Sequence, residues 1–279
     1  MQQVDRLYLV NNGPEQTLSG LPSGPSSVEI IQQSSNRGIA SGFNVGIRAA
    51  RQAGYRYVLL LDQDSVPPSG MVSRYLDVLG TLAAAGTPVA AVGPRHTAPD
   101  SDYISSFVNF RWFRNVYRQG SAVKTQVAAD FLISSGSFYA LQTFEKVGLF
   151  NEELFIDHVD TEWCHRAKSH GYQLVGLWDV AMRHRVGERR VRLWFWGWRS
   201  QPIHKPFRLY FITRNSLLLY RMAHVPARWI SGDLSRLLRL VVMNILFSAR
   251  RFEAVCWFML GLRDGLLKVS GPGPRQASQ

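Results

Sequence analysis

The chain has 279 residues and a mass of 31.6 kDa, the size of one large domain or of one domain with an appended segment. Its 46% hydrophobic and 19% charged residues are typical of a packed globular protein and exclude bulk disorder. Two cysteines cannot build a disulfide framework or a cysteine-based zinc site. No basic-then-apolar leader opens the sequence, so the cytoplasm is the expected location.

The net charge of +12 is concentrated in the last third of the chain. Residues 1–182 carry 14 Lys and Arg against 16 Asp and Glu, whereas residues 183–279 carry 18 against 4, a balance of +14. A strongly basic segment is typical of proteins that meet a polyanion, either nucleic acid or an anionic membrane face. We therefore predict a near-neutral domain followed by a basic extension.

Short apolar runs alternate with helical patterns along the first two-thirds of the chain. Strands are predicted at 6–10, 28–31, 57–61, 88–92, 127–133 and 173–178, and helices from 39 to 50, 142 to 147 and 159 to 170. This alternation predicts an α/β domain with a mostly parallel, Rossmann-like sheet and helices on both faces. The polar and aromatic segment 97–126 has no clear periodicity and is predicted to be a long loop or lid.

Polar residues follow three of the predicted strands. In parallel sheets the ligand binds beyond the carboxyl ends of the strands, where Asn11-Asn12, Asn36-Arg37 and Asp62-Gln63-Asp64 are expected. The carboxylates of Asp62 and Asp64 are hard ligands suited to Mg²⁺ or Mn²⁺, which would in turn bind nucleotide phosphates. A solvated turn is the alternative interpretation, because Asp is common in turns.

A second acidic group opens the helix predicted at 159–170. Asp157, Asp160 and Glu162 lie there, and one carboxylate beside a cleft could serve as a general base. The alternative is structural, since the helix dipole favours acidic residues in a first turn. His184 follows the last predicted strand, and a lone histidine is more often structural than a ligand.

Six motifs in a fixed order carry a resemblance to a known family. They are Leu9–Gly13, Asn36–Gly46, Leu59–Ser65, Gly148–Arg166, His184–Gly187 and Arg208–Asn215. Over about residues 4–220 the chain resembles glycosyltransferase family 2, and within it the bacterial rhamnosyltransferases that build O-antigens and related lipopolysaccharides. The resemblance implies a GT-A fold and an inverting transfer of L-rhamnose from dTDP-L-rhamnose. A UDP-hexose donor is the alternative within the family.

The resemblance also assigns roles to single residues. Asp62 and Asp64 match the family's Asp-x-Asp motif, which holds the divalent ion or contacts the donor ribose and diphosphate, and His184 matches a histidine that helps to hold the metal. Asp160 stands where the family has its catalytic base, with Asp157 and Glu162 as reserve candidates. The implied donor-binding residues are Asn11, Asn36, Arg37, Gly38, Asn44 and Asp62.

Two departures from the family pattern bear on the donor site. The family's first strand, which ends in Thr-Tyr-Asn, has no counterpart in Met1–Arg6. Either the start site is set late or the sheet has lost an inner strand, and a catalytically inactive, truncated scaffold is therefore an alternative. Asn11 stands where many members have an Asp that faces the base. Its amide oxygen can still accept a hydrogen bond from a pyrimidine N–H, although a neutral and weaker one.

The sequence divides into a catalytic domain at 1–190 and an extension at 191–279. The donor half of the domain spans about 1–95 and its base half about 127–190. The extension holds the Trp-rich segment Trp194–Trp198 and an amphipathic helix suited to lying on a bilayer. The apolar face of that helix comprises Leu234, Leu237, Leu238, Val241 and Ile245.

We expect this extension to attach the enzyme peripherally to the anionic inner face of the cytoplasmic membrane, where the acceptor would be a lipid-linked glycan. A spanning helix is not expected, because Arg250, Arg251 and Glu253 interrupt Leu240–Leu262. Packing on the catalytic domain or a homodimer is the alternative role. A basic polyanion-binding protein would leave Asp62 and Asp64 unexplained, so no nucleic acid partner is expected.

Overall fold

The computed structural model describes residues 3–13, 28–97, 104–184, 190–194, 198–202, 205–248 and 250–274. The side chains of Arg114 and of residues 184–204 lie outside this description. The strands are β1 (Leu7–Asn11), β2 (Val28–Gln32), β3 (Tyr57–Leu59), β4 (Ser65–Val66), β5 (Val89–Thr97), β6 (Phe107–Arg111), β7 (Arg114–Arg118), β8 (Gln126–Ala129), β9 (Phe138–Ala140), β10 (Gln173–His184), β11 (Arg190–Trp194) and β12 (Trp198–Pro202). The α-helices are α1 (Ile39–Gln52), α2 (Met71–Ala84), α3 (Leu141–Val147), α4 (Val159–Ser169), α5 (Pro206–Leu219), α6 (Ala227–Phe247) and α7 (Arg251–Leu266), and a 3₁₀ turn covers Glu152–Leu154.

The central sheet has six strands, in the order β3-β9-β5-β10-β4, and β8 also pairs with β10. The α/β class is confirmed, but the pairing is mixed rather than mostly parallel, since β5–β10 is the one parallel pair among the described strands of this sheet. The predicted strands β3, β5 and β10 do share one direction. The three-residue strand β9 separates β3 from β5, and it is too short to show a periodic pattern.

A second, two-stranded sheet contains the parallel pair β1–β2. Helix α1 packs against β1, and β3 is an edge strand of the central sheet. In the part of the chain that the structure describes, no strand joins the two sheets.

Helices cover both faces of the central sheet. On one face, Met71, Tyr75 and Val78 of α2 pack against Val92 and Leu177 of the sheet. On the other face, the core is centred on the fully buried Trp163 of α4 and includes Tyr139, Phe144 and Phe150. Burial of each large aromatic ring contributes about 2–3 kcal/mol, so α4 is held firmly at the sheet.

The segment 97–126 contains a β-hairpin rather than the predicted loop or lid. Strands β6 and β7 pair antiparallel, from Phe107 opposite Arg118 to Arg111 opposite Arg114. Aromatic and apolar residues stand on both faces of these strands, so the period-two alternation that marks a strand is obscured. Residues 98–103 of this segment lie outside the described part.

The C-terminal helices belong to the same core as the sheet. Leu219, Val225 and Trp229 pack in the cluster that holds Trp163, and α5 packs along α7. From residue 205 on, the described chain thus packs in one core with the sheet, and the division at 190 stays a prediction. None of the helices described here combines the length and hydrophobicity that are needed to cross a bilayer.

The face predicted for membrane contact on α6 is divided in the structure. Leu237 and Val241 are buried, and Ile245 packs beside them against Ile212 and Phe258. Leu234 and Leu238 instead point to solvent. Hydrophobic periodicity identifies the apolar positions of a helix but not whether protein or solvent covers each one.

Candidate active site

The loop after β2 is joined to the end of β1 by Asn12. The Asn12 side-chain amide donates to the carbonyl oxygen of Gly38 at 2.6 Å, and its Oδ1 accepts from the backbone N–H of Arg37 at 3.1 Å. Asn11 donates from Nδ2 to Gln32 Oε1 at 2.7 Å. Asn12 was not among the predicted donor-binding residues, although its place after a strand and before Gly13 is a typical signal for such a loop.

Two of the predicted donor-binding residues have structural roles in this loop. Asn36 Oδ1 accepts from the Gly38 N–H at 2.9 Å and closes a tight turn. Gly38 has a φ of +88°, and a Cβ there would stand 2.3 Å from the carbonyl oxygen of Phe155. The close approach of Phe155 therefore requires a glycine here, and the predicted role of Gly38 in donor binding stays a prediction.

Asn44, a predicted donor-binding residue, is buried and joins α1 to the segment that follows Leu149. Its Nδ2 donates to Phe150 O and to Glu152 Oε1, both at 2.9 Å, and its Oδ1 accepts from Phe150 N at 3.0 Å. These bonds lie inside the core, and a role of Asn44 in donor binding stays a prediction. Arg37 is exposed, and its Nη2 lies 3.5 Å from Glu152 Oε2.

The acidic turn after β3, Asp62–Asp64, is hydrogen-bonded to the serine turn Ser134–Ser137. The Asp62 N–H donates to Ser135 Oγ at 2.9 Å, and Ser65 Oγ lies 2.7 Å from the same hydroxyl. On the other side of this turn, Asp160 Oδ2 accepts from the Ser134 N–H at 3.4 Å. One four-residue turn thus connects the predicted metal-binding turn to the predicted base.

The register of β10 brings His184 to the acidic turn. The backbone of His184 stands opposite Ser65, the residue that follows Asp64. Two carboxylates with an imidazole in the next strand form a donor set that suits Mg²⁺ or Mn²⁺. Among the described side chains, which exclude that of His184, no group of three or more His, Cys, Asp or Glu is arranged to hold a metal. A third ligand from His184 would complete the set.

Asp160 has the environment of a general base. It lies in the first turn of α4, with Oδ1 accepting from the Thr161 N–H at 2.9 Å. Burial raises the pKa of Asp160 to about 6, although hydrogen bonds from the Ser134 and Thr161 N–H groups favour its charged form. A carboxylate with such a pKa accepts a proton readily and is still ionised at neutral pH.

The two reserve candidates make ion pairs. Asp157 accepts from Arg208, whose Nε lies 3.3 Å from its Oδ2. Glu162 is buried, both of its oxygens accept from Arg166, and His224 Nε2 lies 2.8 Å from Oε1. These partners lower the pKa of Glu162 against the effect of burial. Both oxygens of Glu162 are bonded to Arg166, so of the predicted candidates Asp160 remains the better one for the base. Asp157 and Arg208 line an open cavity of about 300 Å³. Asp157 therefore remains a reserve candidate for the base.

The backbone ahead of α4 is held in an unusual conformation. Phe155, Asp157 and His158 have φ values of +63°, +60° and +61°, which residues other than glycine rarely adopt. The buried Asn215 of α5 donates from Nδ2 to the carbonyl oxygens of Leu154, Ile156 and Asp157 at 2.7–2.9 Å. Arg214 adds a bond to the carbonyl of Leu154 at 3.0 Å. Arg214 and Asn215 both belong to the Arg208–Asn215 motif of the sequence. Only the structure reveals that their side chains hold the backbone ahead of α4.

Asn215→Ala should therefore disturb the segment that leads to Asp160. We expect the variant to lose about 1–3 kcal/mol of stability, because three buried carbonyl groups lose a donor, and to turn over more slowly with unchanged donor affinity. Urea denaturation and donor-binding calorimetry measure the two effects. Asn109→Ala is the matched control, since Asn109 donates to a single carbonyl, Ala128 O, near the surface. Equal effects of the two variants would contradict the positioning role.

The fold is that of the GT-A glycosyltransferases. The Glycosyl transferase family 2 domain matches residues 2–147, and the chain belongs to this family. A curated relative, the dTDP-rhamnosyl transferase RfbF of Shigella flexneri, is 29% identical over 273 residues, which are 96% of this chain and 88% of the relative.

Two solved structures share the fold at low sequence identity. S. aureus TarS is 14% identical with a TM-score of 0.53, and the match covers 95% of this chain and 43% of that one. GalNAc-T7, solved with UDP, GalNAc and Mn²⁺, is 12% identical with a TM-score of 0.50, and the match covers 84% of this chain and 48% of that one. This chain thus spans about half the length of these two structures or less.

Proposed function

We propose that the chain transfers L-rhamnose from dTDP-L-rhamnose to a hydroxyl group of a lipid-linked or surface polysaccharide acceptor of the O-antigen type, with inversion at the anomeric carbon. The observation that carries the proposal is the serine turn Ser134–Ser137, which holds the Asp62 turn on one side and Asp160 on the other. The similarity to the dTDP-rhamnosyl transferase of Shigella flexneri supports the choice of donor.

In this proposal the reaction is a single displacement. The acceptor oxygen forms a bond to the anomeric carbon while Asp160 takes its proton. The bond from that carbon to the diphosphate breaks, and dTDP leaves with the electron pair. Attack from the face opposite the diphosphate inverts the anomeric carbon.

The other residues of the site bind and orient the donor. Asp62 and Asp64, joined by His184, would hold Mg²⁺ or Mn²⁺, whose charge offsets that of the diphosphate when the ion is bound. The exposed Arg37, in the loop that Asn12 closes, would meet the donor's negative charge. The amide of Asn11 would recognise the pyrimidine base.

A donor screen with the purified full chain tests this function. We expect dTDP-L-rhamnose to bind at least about 10-fold more tightly than UDP-glucose or UDP-GlcNAc, because a donor-specific pocket penalises unpaired polar groups. Calorimetry measures binding, and release of the nucleoside diphosphate measures turnover. Preference for a UDP-hexose would overturn the donor assignment, and binding of no donor would favour the inactive scaffold.

We further propose that the enzyme works attached to the inner face of the cytoplasmic membrane, where a lipid-linked acceptor is presented. The balance of +14 over residues 183–279 supports this location. Each basic residue near an anionic surface contributes about 1 kcal/mol to attachment, within roughly a Debye length. The predicted Trp194–Trp198 contribution lies outside the described side chains.

A further inference from the structure

The turn of the β6–β7 hairpin exposes two aromatic rings. Trp112 and Phe113 are the two residues between the paired Arg111 and Arg114. Their side chains are 62% and 76% exposed, and the ring centroids lie 6.2 Å apart. Large apolar side chains grouped on a surface in this way mark an interaction site rather than a chance exposure.

The backbone conformation of this turn is unfavourable for a large side chain. Phe113 has a φ of +61°, and a second turn residue in that conformation is usually Gly or Asn. A bulky residue held at positive φ is strained, and its ring is not compensated by packing in the core. Such a departure from local preference points to a role in function.

The apolar surface continues from the hairpin onto α6. The Phe113 N–H donates to Ser231 Oγ at 3.1 Å, which fixes the turn against the first part of that helix. Leu234 and Leu238 follow Ser231 at positions i+3 and i+7, on the same face of the helix, and both are exposed. The exposed stripe extends further along α6 through Val242 and Leu246.

The exposed charges that the hairpin and α6 contribute beside this surface are positive, and the neighbouring Asp130 is buried and paired with Lys168. No Asp or Glu occurs in Phe107–Arg118, and the single acidic residue of α6, Asp233, is buried and paired with Arg236 at 2.6 Å. Arg111, Arg228 and Arg239 are exposed beside the apolar residues. An apolar patch with a cationic border is complementary to a lipid surface that carries negative head groups.

We propose that this surface inserts into the anionic leaflet of a membrane. We call it the docking surface, and it comprises Trp112, Phe113, Leu234 and Leu238 with the border of Arg111, Arg228 and Arg239. The two aromatic rings lie at the level of the head groups, where amphipathic rings are favoured. A second copy of the chain is a poor partner, because a two-fold contact would bring the arginines of both copies together.

The docking surface adjoins the cavity that contains Asp157. The hairpin contributes Phe110 and Asn115 to its wall, and α6 contributes Trp229 and Arg236. The same two elements therefore contact the bilayer and form the cavity beside the base. This inference rests on the proposed function in one respect, since it requires an acceptor that is presented by a membrane.

Vesicle flotation of the full chain tests the docking surface. The variant Trp112→Ser/Phe113→Gly removes both rings and relieves the positive φ, so it should melt at or above the wild-type temperature. We expect it to bind vesicles of phosphatidylcholine with phosphatidylglycerol about 10-fold or more weakly than wild type. Val123→Ser is the matched control, because Val123 is 97% exposed in the loop at the other end of the hairpin and should leave binding unchanged.

The outcomes separate this inference from the proposed function. If wild type binds and the double variant binds equally well, the docking surface is wrong although membrane attachment stands. Equal binding of wild type to pure phosphatidylcholine would remove the role of the arginines, and binding to neither vesicle would overturn attachment itself. Affinity for dTDP-L-rhamnose should be the same in all variants, so a failure of donor binding would count against the proposed function alone.

Discussion

Asp160→Asn is expected to lower turnover by about 10²–10⁴-fold and to leave donor affinity unchanged. The amide cannot accept the acceptor's proton, and its single oxygen keeps only one of the two backbone N–H bonds, which run from Ser134 to Oδ2 and from Thr161 to Oδ1 in Asp160. Initial rates and donor calorimetry on the same preparations measure the two quantities. Asp157→Asn is the informative comparison, because Asp157 lies in the same segment and is paired with Arg208. If that variant is the inactive one, the base is misassigned.

The pH dependence gives a second, independent check on Asp160. A general base works in its ionised form, and burial raises the pKa of this carboxyl to about 6. The rate should therefore rise with pH through about 6 and level off above it. Below that value it should fall about tenfold for each pH unit. A rate that is flat between pH 5 and 7 would contradict a base with this environment.

Asp62→Ala and Asp64→Ala are each expected to abolish transfer, by about 10³-fold or more, without unfolding the chain. Both residues lie in the turn after β3, and neither carboxylate belongs to the buried core. Rates with added Mg²⁺ or Mn²⁺, together with thermal melts, measure the effect. Chelation of the wild-type enzyme should reproduce the loss of activity.

Asp77→Ala is the matched control for these two variants, because Asp77 is an exposed carboxylate on α2. It should retain the wild-type rate and the wild-type response to Mg²⁺. Full activity of the Asp62 or Asp64 variant, or of wild type in excess chelator, would refute a role for this turn in holding the ion and the diphosphate.

The sequence was sufficient to predict which polar residues follow strands or open helices. The apolar run before Asp62 and the acidic first turn of α4 are local patterns, and a residue's place at the end of an element depends mainly on its near neighbours. The contact of both groups with Ser134–Ser137 is not local. It depends on the antiparallel insertion of β9, for which three residues provide no periodic signal.

The division between ligand-binding and structural residues could not be predicted from type and spacing. Asn44 and Glu162 lie in the motifs beside Asp62 and Asp160, yet both are buried in complete sets of hydrogen bonds. A side chain that holds the backbone in place and a side chain that binds a ligand use the same polar groups. Only the direction of the side chain, which tertiary packing sets, distinguishes them.

The β6–β7 hairpin was missed for a different reason. Its turn residues, Trp112 and Phe113, are not those that favour a hairpin turn, so neither the strands nor the connection had a sequence signal. For α6 the periodic pattern was clear, but Leu237 faces the protein and Leu238 faces solvent. Two adjacent apolar residues of one helix can thus face different surroundings, one the protein core and the other solvent.

The contact between Gly38 and Phe155 has a consequence for thermodynamic linkage. The Ile39 N–H donates to Phe155 O at 2.8 Å, so the donor loop and the segment leading to Asp157 and Asp160 share a backbone hydrogen bond. If a nucleotide binds to the loop after β2 and orders it, it would also order the acceptor side, and this coupling would be reciprocal because it is a free energy. The two substrates should therefore bind with positive cooperativity, each raising the affinity for the other by the same factor.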